Sequence, residues 1–319
     1  MKFLETNFNE YISSCEKENL HPSYKKIYKE FPNDISKLNN LIFYGPSGVG
    51  KYTQVLECIK KYSSSALKYE KKLICEFNKN NYFFKISDIH FEIDMGLLGC
   101  NAKLLWNEIF TNIIDVLSSR SNKNGIILCK NFHKIHSELL DCFYSYMQKN
   151  LNNINIIFII LTEQVSFIPD NIINTSYIIS FPRPCKSSYN KVINKKLPNK
   201  ILLKDINNIK SLYSKEIILN NNIHNYVDKL YSLIIDIENI KFTGFRDILY
   251  DIFIYDIDIG YVLWNIIKKL IINDKIKDDN ISYVFIESYS FLQFYNNNYR
   301  PIYHLENFLY KIINLVNEF

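Results

Sequence analysis

The sequence is poor in glycine and in arginine. Only 8 of its 319 residues are glycine. The arginines are four: Arg120, Arg183, Arg246 and Arg300. The formal net charge of +5 therefore comes almost entirely from lysine, which is abundant together with asparagine, isoleucine and tyrosine, as AT-rich coding would produce. The charge alone is weak evidence for a nucleic acid or any other partner.

Cysteine spacing and the shortness of the apolar runs argue against a secreted protein and against a membrane protein. The seven cysteines show no Cys-x-x-Cys spacing, and the start of the sequence shows no charged segment followed by an apolar one. We therefore expect an intracellular protein with reduced thiols and no secretory signal. The longest apolar runs, such as 154–161, are too short to cross a bilayer, so no membrane role is expected.

Length and composition predict a folded chain with more than one domain. At 319 residues and 47% hydrophobic content, the chain can bury a substantial core and form two or three domains. Short apolar runs lie at 41–44, 72–77, 83–94 (interrupted), 126–129, 156–161 and 177–181, with helix-like segments near 51–62, 102–119 and 137–149. Isoleucine-rich strands joined by amphipathic helices are typical of a parallel sheet covered on both faces, so we predict an α/β fold.

A glycine-rich segment follows the first apolar run. Residues 45–51 read Gly-Pro-Ser-Gly-Val-Gly-Lys, the spacing of loops whose backbone N–H groups surround a phosphate at the start of a helix. Lys51 is expected to reach the terminal phosphates, but Tyr52 stands where a serine or threonine would hold Mg²⁺, and Thr53 follows one place late. The predicted nucleotide-binding residues are Gly45, Pro46, Ser47, Gly48, Val49, Gly50, Lys51, Tyr52 and Thr53. The alternative is a loop that has lost its ligand.

The pattern changes after residue 184. The two prolines of Phe181-Pro182-Arg183-Pro184 hold the chain extended and predict the end of the sheet. Residues 186–212 are rich in lysine and asparagine, whereas from 215 onward apolar residues recur at helical spacing. We predict three parts: a nucleotide-binding α/β domain over 1–184, a reduced lid or linker over 185–214, and an all-helical domain over 215–319.

Two minor patterns indicate structure rather than chemistry. Four residues with metal-ligand chemistry lie close in sequence, namely Cys129, His133, His136 and Cys142. Their spacing matches no zinc pattern, so we expect no metal site. In the helical region, Glu306 is a candidate to pair with Arg300 as a structural contact.

From residue 38 to 184 the sequence resembles a small subunit of the replication-factor-C type of sliding-clamp loader, in the AAA+ superfamily. Residues 41–53, LIFYGPSGVGKYT, are close to the P-loop of one class of these subunits, in which a residue without a hydroxyl follows the lysine and threonine comes next. The likeness continues through 82–94, 99–103, 126–129, Ile168-Pro169 and Phe181-Pro182-x-Pro184. Region 215–319 is similar in architecture alone. The resemblance implies a parallel-sheet AAA+ domain, a reduced helical lid and a collar-like helical oligomerisation domain.

The departures from the family pattern bear on catalysis. Where the family has an Asp-Glu pair that organises Mg²⁺ and polarises the attacking water, this sequence has Lys130-Asn131. Thr162 matches the sensor asparagine and keeps a group that hydrogen-bonds phosphate. The arginine-finger motif falls at 174–176, Asn-Thr-Ser, and 186–214 contains no arginine. The resemblance therefore implies a subunit that binds ATP or ADP, holds Mg²⁺ poorly, and neither hydrolyses the nucleotide nor triggers hydrolysis by a neighbour.

Two surfaces are implied by the resemblance. Lys103 matches a basic residue that grips the backbone of template DNA, a contact that would be independent of sequence and sensitive to salt. Met95, Leu97 and Leu98 lie in the region that the family uses to touch the clamp, and an exposed apolar loop suits docking. The alternatives are a solvated lysine and leucines that pack into their own core.

The implied function is that of a positioning subunit in a clamp-loader hetero-pentamer. Its partners would be other AAA+ clamp-loader subunits, a ring-shaped sliding clamp and primer–template DNA, in the nucleus or another compartment of DNA replication. One alternative is an AAA+-derived scaffold that binds no nucleotide. The other is a phosphotransferase, because residues 45–51 also resemble the loop of guanylate kinases, although those enzymes need arginines to clamp two nucleotides.

Overall fold

The structure of the chain, a computed structural model, divides into two units, Met1–Ile217 and Ile218–Phe319. Residues 185–214, predicted from the sequence as a lid or linker, fall within the first unit. The residues that the structure describes are 7–77, 80–99, 101–148, 154–198, 203, 206, 208, 209, 212, 221–236, 242–254, 257–297 and 301–317.

Seven strands form one sheet in the first unit. They are β1 (Asn40–Tyr44), β2 (Lys71–Phe77), β3 (Asn80–Ile86), β4 (His90–Asp94), β5 (Asn124–Lys130), β6 (Asn155–Thr162) and β7 (Ser176–Ser180). The order across the sheet is β2-β3-β4-β5-β6-β1-β7. β1 lies parallel between β6 and β7, and β4, β5 and β6 are parallel neighbours. The α/β fold with a largely parallel sheet is therefore confirmed.

One edge of the sheet is antiparallel, which the sequence pattern did not predict. The interrupted run 83–94 is two strands, β3 and β4, and β3 is antiparallel to both β2 and β4. Ser87 forms the turn, because its Oγ accepts hydrogen bonds from the N–H groups of Ile89 and His90 at 3.1 and 3.0 Å. A serine hydroxyl that bonds the backbone locally favours a reversal of the chain over a continuous strand.

Helices cover both faces of the sheet. The helices of the first unit are α1 (Phe8–Lys17), α2 (Tyr24–Glu30), α3 (Lys51–Ile59), α4 (Ala102–Ser119), α5 (Ser137–Met147), α6 (Asp170–Asn174) and α7 (Lys186–Ile193). Successive strand residues point to opposite faces, so Ile127 joins the core under α4, α5 and α6, whereas Leu128 joins the core under α1 and α3. We call these the first core and the second core.

The second unit is helical among the residues that the structure describes. Its helices are α8 (Asn221–Ile235), α9 (Phe242–Ile254), α10 (Ile259–Ile272), α11 (Asp278–Asn297) and α12 (Pro301–Val316). They share one apolar core that includes Leu249, Leu263 and Leu305. Arg246 forms a bidentate ion pair with Glu306, with Nε–Oε1 and Nη2–Oε2 distances of 2.5 and 2.9 Å. Arg300, the partner of Glu306 considered from the sequence, lies outside the described residues.

Candidate functional site

Residues 45–51, which we call the glycine loop, begin where two neighbouring parallel strands diverge. β1 ends at Tyr44, opposite Thr162 of β6. From β1 the chain enters α3, which packs into the second core, whereas from β6 it reaches α6, which packs into the first core on the opposite face. Such a divergence opens a crevice at the carboxyl ends of the strands, where ligands of α/β sheets bind.

The first residue of the glycine loop is held between both neighbouring strands. Gly45 N–H donates to the carbonyl of Thr162 at 3.3 Å, and Phe181 N–H donates to the carbonyl of Tyr44 at 2.7 Å. A Cβ added to Gly45 would lie 2.4 Å from the carbonyl oxygen of Phe181, a backbone atom that cannot move aside easily. This close approach explains why residue 45 is glycine.

The other two glycines turn the loop into α3. Gly48 and Gly50 have φ values of +69° and +84°, in the left-handed region that favours glycine. Gly50 is the residue before the helix, and glycine has no side chain with which to cap the first N–H groups. The start of α3 therefore presents the positive end of its dipole to the loop, an arrangement that favours an anion.

Lys51 folds back over the loop that precedes it. Its Nζ donates to the carbonyl oxygens of Gly45 and Pro46 at 2.5 and 2.7 Å. The side chain is only 10% exposed. These bonds hold the ammonium at the mouth of the loop, where it adds a charged donor to the helix dipole.

Two side chains from distant segments hold the middle of the glycine loop. Tyr189 of α7 donates its hydroxyl to the carbonyl of Gly48 at 3.0 Å, and the His21 ring nitrogen Nε2 donates to the carbonyl of Val49 at 2.9 Å. The carbonyl oxygens of Gly48 and Val49 thus accept hydrogen bonds from side chains of the protein itself. Neither Tyr189 nor His21 was predicted from the sequence, because each contacts the loop only through the tertiary fold.

Lys51 lies in a charged environment. Its Nζ is 4.0 Å from Oε1 of Glu163. Burial lowers the pKa of Lys51 to about 8, Arg183 acts in the same direction through its positive charge, and Glu163 opposes the decrease. Arg183 itself is fixed by Nη1 hydrogen bonds to the carbonyls of Leu203 and Ile206 at 2.7 and 3.1 Å. The loop therefore has two cations and one carboxylate beside it.

Glu163, rather than the predicted Thr162, is the side chain after β6 that faces Lys51. Thr162 is buried, and its hydroxyl donates to the carbonyl of Gln164 at 2.6 Å while accepting from Gln164 N–H at 3.2 Å. The Thr162 hydroxyl therefore makes both of these hydrogen bonds within the turn that follows β6. The sequence offered one signal for Glu163. It is the first residue after the carboxyl end of β6, and ligands of α/β sheets bind at such strand ends.

Lys130 and Tyr52 meet at a buried carboxylate on the neighbouring strand. Tyr52 donates its hydroxyl to Oε1 of Glu92 at 2.6 Å. The Lys130 ammonium lies 3.7 Å from Oε2 of Glu92 and 4.7 Å from the centre of the Tyr52 ring. The carboxylate is 3% exposed and the lysine side chain 33% exposed, so the pair presents its positive end toward solvent.

A histidine completes the environment of this carboxylate. His90 Nε2 lies 3.4 Å from Glu92 Oε1, and His90 Nδ1 lies 2.5 Å from Ser87 Oγ. Since Ser87 Oγ already accepts two backbone N–H groups, its hydroxyl donates to Nδ1 and the imidazole proton sits on Nε2. Burial alone would raise the pKa of Glu92, but His90, Lys130 and Tyr52 together hold it below the usual value.

Asn131 contacts a second carboxylate. It adopts the left-handed conformation and donates Nδ2–H to Oδ2 of Asp94 at 2.8 Å. The other oxygen of Asp94 accepts from Gly96 N–H at 3.1 Å. His133 follows, and its Nδ1 accepts from the N–H of Glu163 at 3.4 Å, while burial lowers its pKa. Asn131 thus joins the ends of β4 and β5.

These donors do not fit a Mg²⁺ ion bound with nucleotide. Mg²⁺ needs oxygen ligands in octahedral geometry at about 2.0–2.1 Å, usually including a carboxylate. The Tyr52 hydroxyl donates to Oε1 of Glu92, and the Lys130 ammonium lies 3.7 Å from Oε2 of the same carboxylate, so a positive charge occupies the place beside it. Among the described residues no group of three or more His, Cys, Asp or Glu side chains has the arrangement of a metal site.

The remaining predicted loop residues divide between surface and core. Pro46 is exposed, Ser47 and Thr53 are half-buried, and Val49 is fully buried in the second core. Val49 therefore anchors the loop to the sheet and offers a ligand only its backbone.

The two predicted contact surfaces lie near the start of α4. Lys103 is exposed in the first turn of that helix. Leu97 is 74% exposed, whereas Met95 and Leu98 are buried in the first core. Of the three predicted clamp-contact residues, Leu97 alone presents its side chain to solvent, and Leu104 beside Lys103 is also exposed.

Comparison with known proteins adds no assignment to this geometry. No protein-family model matches the chain. A search of the curated proteins also finds no match. Separately, no helix within the described ranges combines the length and the apolar character needed to span a membrane.

Proposed function

We propose that the first unit binds ATP or ADP at the glycine loop and does not hydrolyse it. The observation that carries the proposal is the position of Lys51, held at the mouth of a loop whose carbonyls accept side-chain hydrogen bonds. With its carbonyls engaged, the loop has mainly N–H groups to offer a ligand, and α3 adds the positive end of its dipole. A polyphosphate is the ligand that suits such a set of donors.

The chemistry at the end of β5 argues against hydrolysis. Phosphoryl transfer to water needs a metal that neutralises the phosphates and a group that orients the water. Lys130 is committed to Glu92, and Asn131 to Asp94. Neither side chain supplies a carboxylate to a metal or accepts a proton from water.

We further propose that the chain serves as a non-catalytic subunit of a sliding-clamp loader. The order of phosphate loop, parallel sheet, Phe-Pro-x-Pro exit and helical second unit supports this assignment. The exposed side chain of Leu97 suits a contact with a ring-shaped clamp, and exposed Lys103 suits a backbone contact with primer–template DNA. The partners would be other AAA+ subunits of a hetero-pentamer.

Calorimetry of the full chain with ATP and with ADP tests the nucleotide proposal. We expect saturable binding that Lys51→Met weakens about 10–100-fold, since a charge-assisted hydrogen bond is worth about 1.5–3 kcal/mol. Lys123→Met is the matched control. Lys123 is an exposed lysine just before the amino end of β5, whereas the glycine loop follows the carboxyl end of β1. Phosphate release from ATP should stay at the level of the Lys51→Met variant; release well above it would overturn the non-hydrolysing assignment.

Affinity purification of the tagged chain from its own cells tests the assembly. The expected result is recovery of AAA+ paralogues in a complex of defined stoichiometry. A chain that remains alone, without such paralogues, contradicts the clamp-loader assignment.

The scaffold alternative is favoured by one specific observation. Lys51 already bonds two loop carbonyls and lies beside Glu163, so its charge is partly satisfied without a ligand. A silent titration with a folded protein would favour this second function.

A further inference from the structure

This inference rests on the proposed nucleotide binding and concerns the form of the nucleotide. We propose that the site takes the nucleotide as its metal-free anion, with protein cations providing the charge that Mg²⁺ supplies in hydrolysing P-loop proteins. Three cations carry the argument, namely Lys51, Arg183 and Lys130.

The first step is the state of the oxygen atoms that a metal would need. The residue after Lys51 is Tyr52, whose O–H group donates to Oε1 of Glu92 and is therefore not free to bind a metal at the loop. Glu92 is only 3% exposed, its Oε1 accepts from Tyr52 and lies beside His90, and its Oε2 faces the Lys130 ammonium, so each oxygen already lies beside a donor or a cation. Removing any of these contacts to admit Mg²⁺ would leave a buried charge or donor unpaired.

The second step is the ammonium of Lys130. It stacks 4.7 Å from the ring of Tyr52, the side chain next to Lys51, and it forms the more exposed end of its pair with Glu92. Lys130 pairs with Asp94, and both are the last residues of their parallel strands. Lys130 therefore lies at the carboxyl ends of the strands, where the glycine loop also starts after β1. A fixed cation at this edge repels a divalent metal and attracts a polyphosphate.

The third step is Arg183, whose positive charge acts to lower the pKa of Lys51. The hydrogen bonds of Arg183 to the carbonyls of Leu203 and Ile206 fix its guanidinium against a segment that reaches the glycine loop, where Ile209 Cδ1 would lie 3.7 Å from a Cβ added at Gly50. A guanidinium remains protonated at any physiological pH. Together with Lys51 it gives the site a positive charge that needs no metal.

The carboxylate of Glu163 makes the proposal sharply testable. Its Oε1 lies 4.0 Å from Lys51 Nζ, so a phosphate that binds Lys51 approaches this negative charge. If the anion binds without metal, Glu163 repels it and Glu163→Gln tightens binding. If Mg²⁺ enters with the nucleotide, Glu163 is a carboxylate beside Lys51 that can ligate it, and Glu163→Gln weakens binding.

The experiment is a titration of the full chain with ATP, once with excess MgCl₂ and once with excess EDTA. We expect the Kd in EDTA to be equal to that in MgCl₂ within about two-fold, or lower. A Kd more than about two-fold higher in EDTA overturns the proposal. Absence of binding in both buffers overturns the nucleotide-binding proposal itself, a result distinct from metal dependence.

Variants assign the effect to residues. In EDTA, Lys130→Met should weaken ATP binding several-fold while Lys123→Met leaves it unchanged, with circular dichroism confirming that both fold. Glu163→Gln should lower the Kd in both buffers. Equal affinities for Lys130→Met and the wild type in EDTA would remove Lys130 from the site, and weaker binding by Glu163→Gln would restore a metal role.

Discussion

The side-chain nitrogen of Lys51 lies 4.0 Å from Oε1 of Glu163, while it also donates to the carbonyls of Gly45 and Pro46. The lysine that should contact phosphate thus has an internal counter-charge on the neighbouring strand end. An incoming anion competes with that carboxylate, and the competition ties ligand affinity to the protonation of one amine.

The pH dependence of nucleotide binding follows from this arrangement. Because burial lowers the pKa of Lys51 to about 8, ATP affinity should fall as pH rises above about 8, where the free protein loses the proton. The measurement is Kd against pH from 6.5 to about 9.5, a range that spans this pKa. Lys51→Arg should keep a charged side chain throughout and show no break at that pH. A break of the same size in Lys51→Arg would assign it to another group.

Lys51 also makes the free energy of unfolding depend on pH. This dependence has the opposite sign to that of ATP affinity. An unfolded lysine titrates near 10.5, so between about pH 8 and 10.5 the unfolded chain binds more protons than the folded one. The contribution of Lys51 to the free energy of unfolding therefore rises with pH across that window. Denaturant titrations of wild type and Lys51→Met should differ in pH slope there, with the wild type rising more steeply.

Gly45 should tolerate no side chain. Gly45→Ala places a Cβ at 2.4 Å from the Phe181 carbonyl oxygen, and we expect a loss of about 2–4 kcal/mol in the free energy of unfolding. Gly244→Ala is the matched control, because its Cβ meets no atom within 4 Å and the residue lies in helix α9. That control should be neutral or stabilising by up to about 0.5–1 kcal/mol. Equal denaturation midpoints for the two variants would contradict the close contact.

The network around Glu92 should contribute to acid stability. Its pKa is held below the usual 4.5, so its contribution is fully present above about that pH and is lost as pH falls through the folded pKa. Glu92→Gln should flatten the fall in stability on acidification. Tyr52→Phe should cost about 1–3 kcal/mol, because Glu92 loses a buried hydrogen bond. An unchanged acid transition in Glu92→Gln would show that other carboxylates dominate it.

The parts of the fold that depend on local pattern were predictable from the sequence. β1 and α4 were placed within a residue of their ends because a continuous apolar run and a helical repeat each identify an element without tertiary information. The turn at Ser87 was not recognised, because a single serine between apolar residues is a weak signal. The missed turn hid the antiparallel edge formed by β3.

The candidate site was predictable where residues are adjacent in sequence and not where the fold assembles them. The glycine loop is one continuous segment, so its spacing alone identified it. Glu163 and Arg183 approach Lys51 from 112 and 132 residues away in the chain, as their residue numbers give. Arg246 and Glu306 are separated by 60 residues and pair between two helices, so sequence adjacency could not identify that contact either.

The Arg246–Glu306 pair supports a prediction in the second unit. Glu306 is buried, so Arg246→Met leaves its carboxylate without a counter-charge and should lower the melting temperature. The double variant Arg246→Met/Glu306→Leu removes both charges and should melt at a higher temperature than the single variant. The reverse order would show that Glu306 is solvated without its partner.

The thiols should differ widely in reactivity. Hydrogen bonds from Ser187 and Ser188 lower the pKa of exposed Cys185 to about 7. Burial raises the pKa of Cys15 to about 11 and that of Cys58 to about 12. Iodoacetamide at neutral pH should therefore label Cys185 well before Cys15 and Cys58 in the native protein, as peptide mass spectrometry would show. Persistence of the fast labelling phase in Cys185→Ser would contradict this assignment.

The contact of Gly45 with Phe181 has a mechanical consequence. Phe181 is where the chain leaves the sheet toward Arg183 and α7, and its N–H is bonded to the residue just before the glycine loop. The glycine loop and the exit segment are therefore joined by a backbone hydrogen bond and by a close backbone approach at Gly45. We expect a ligand that displaces the loop backbone to displace the segment that leads to α7 as well.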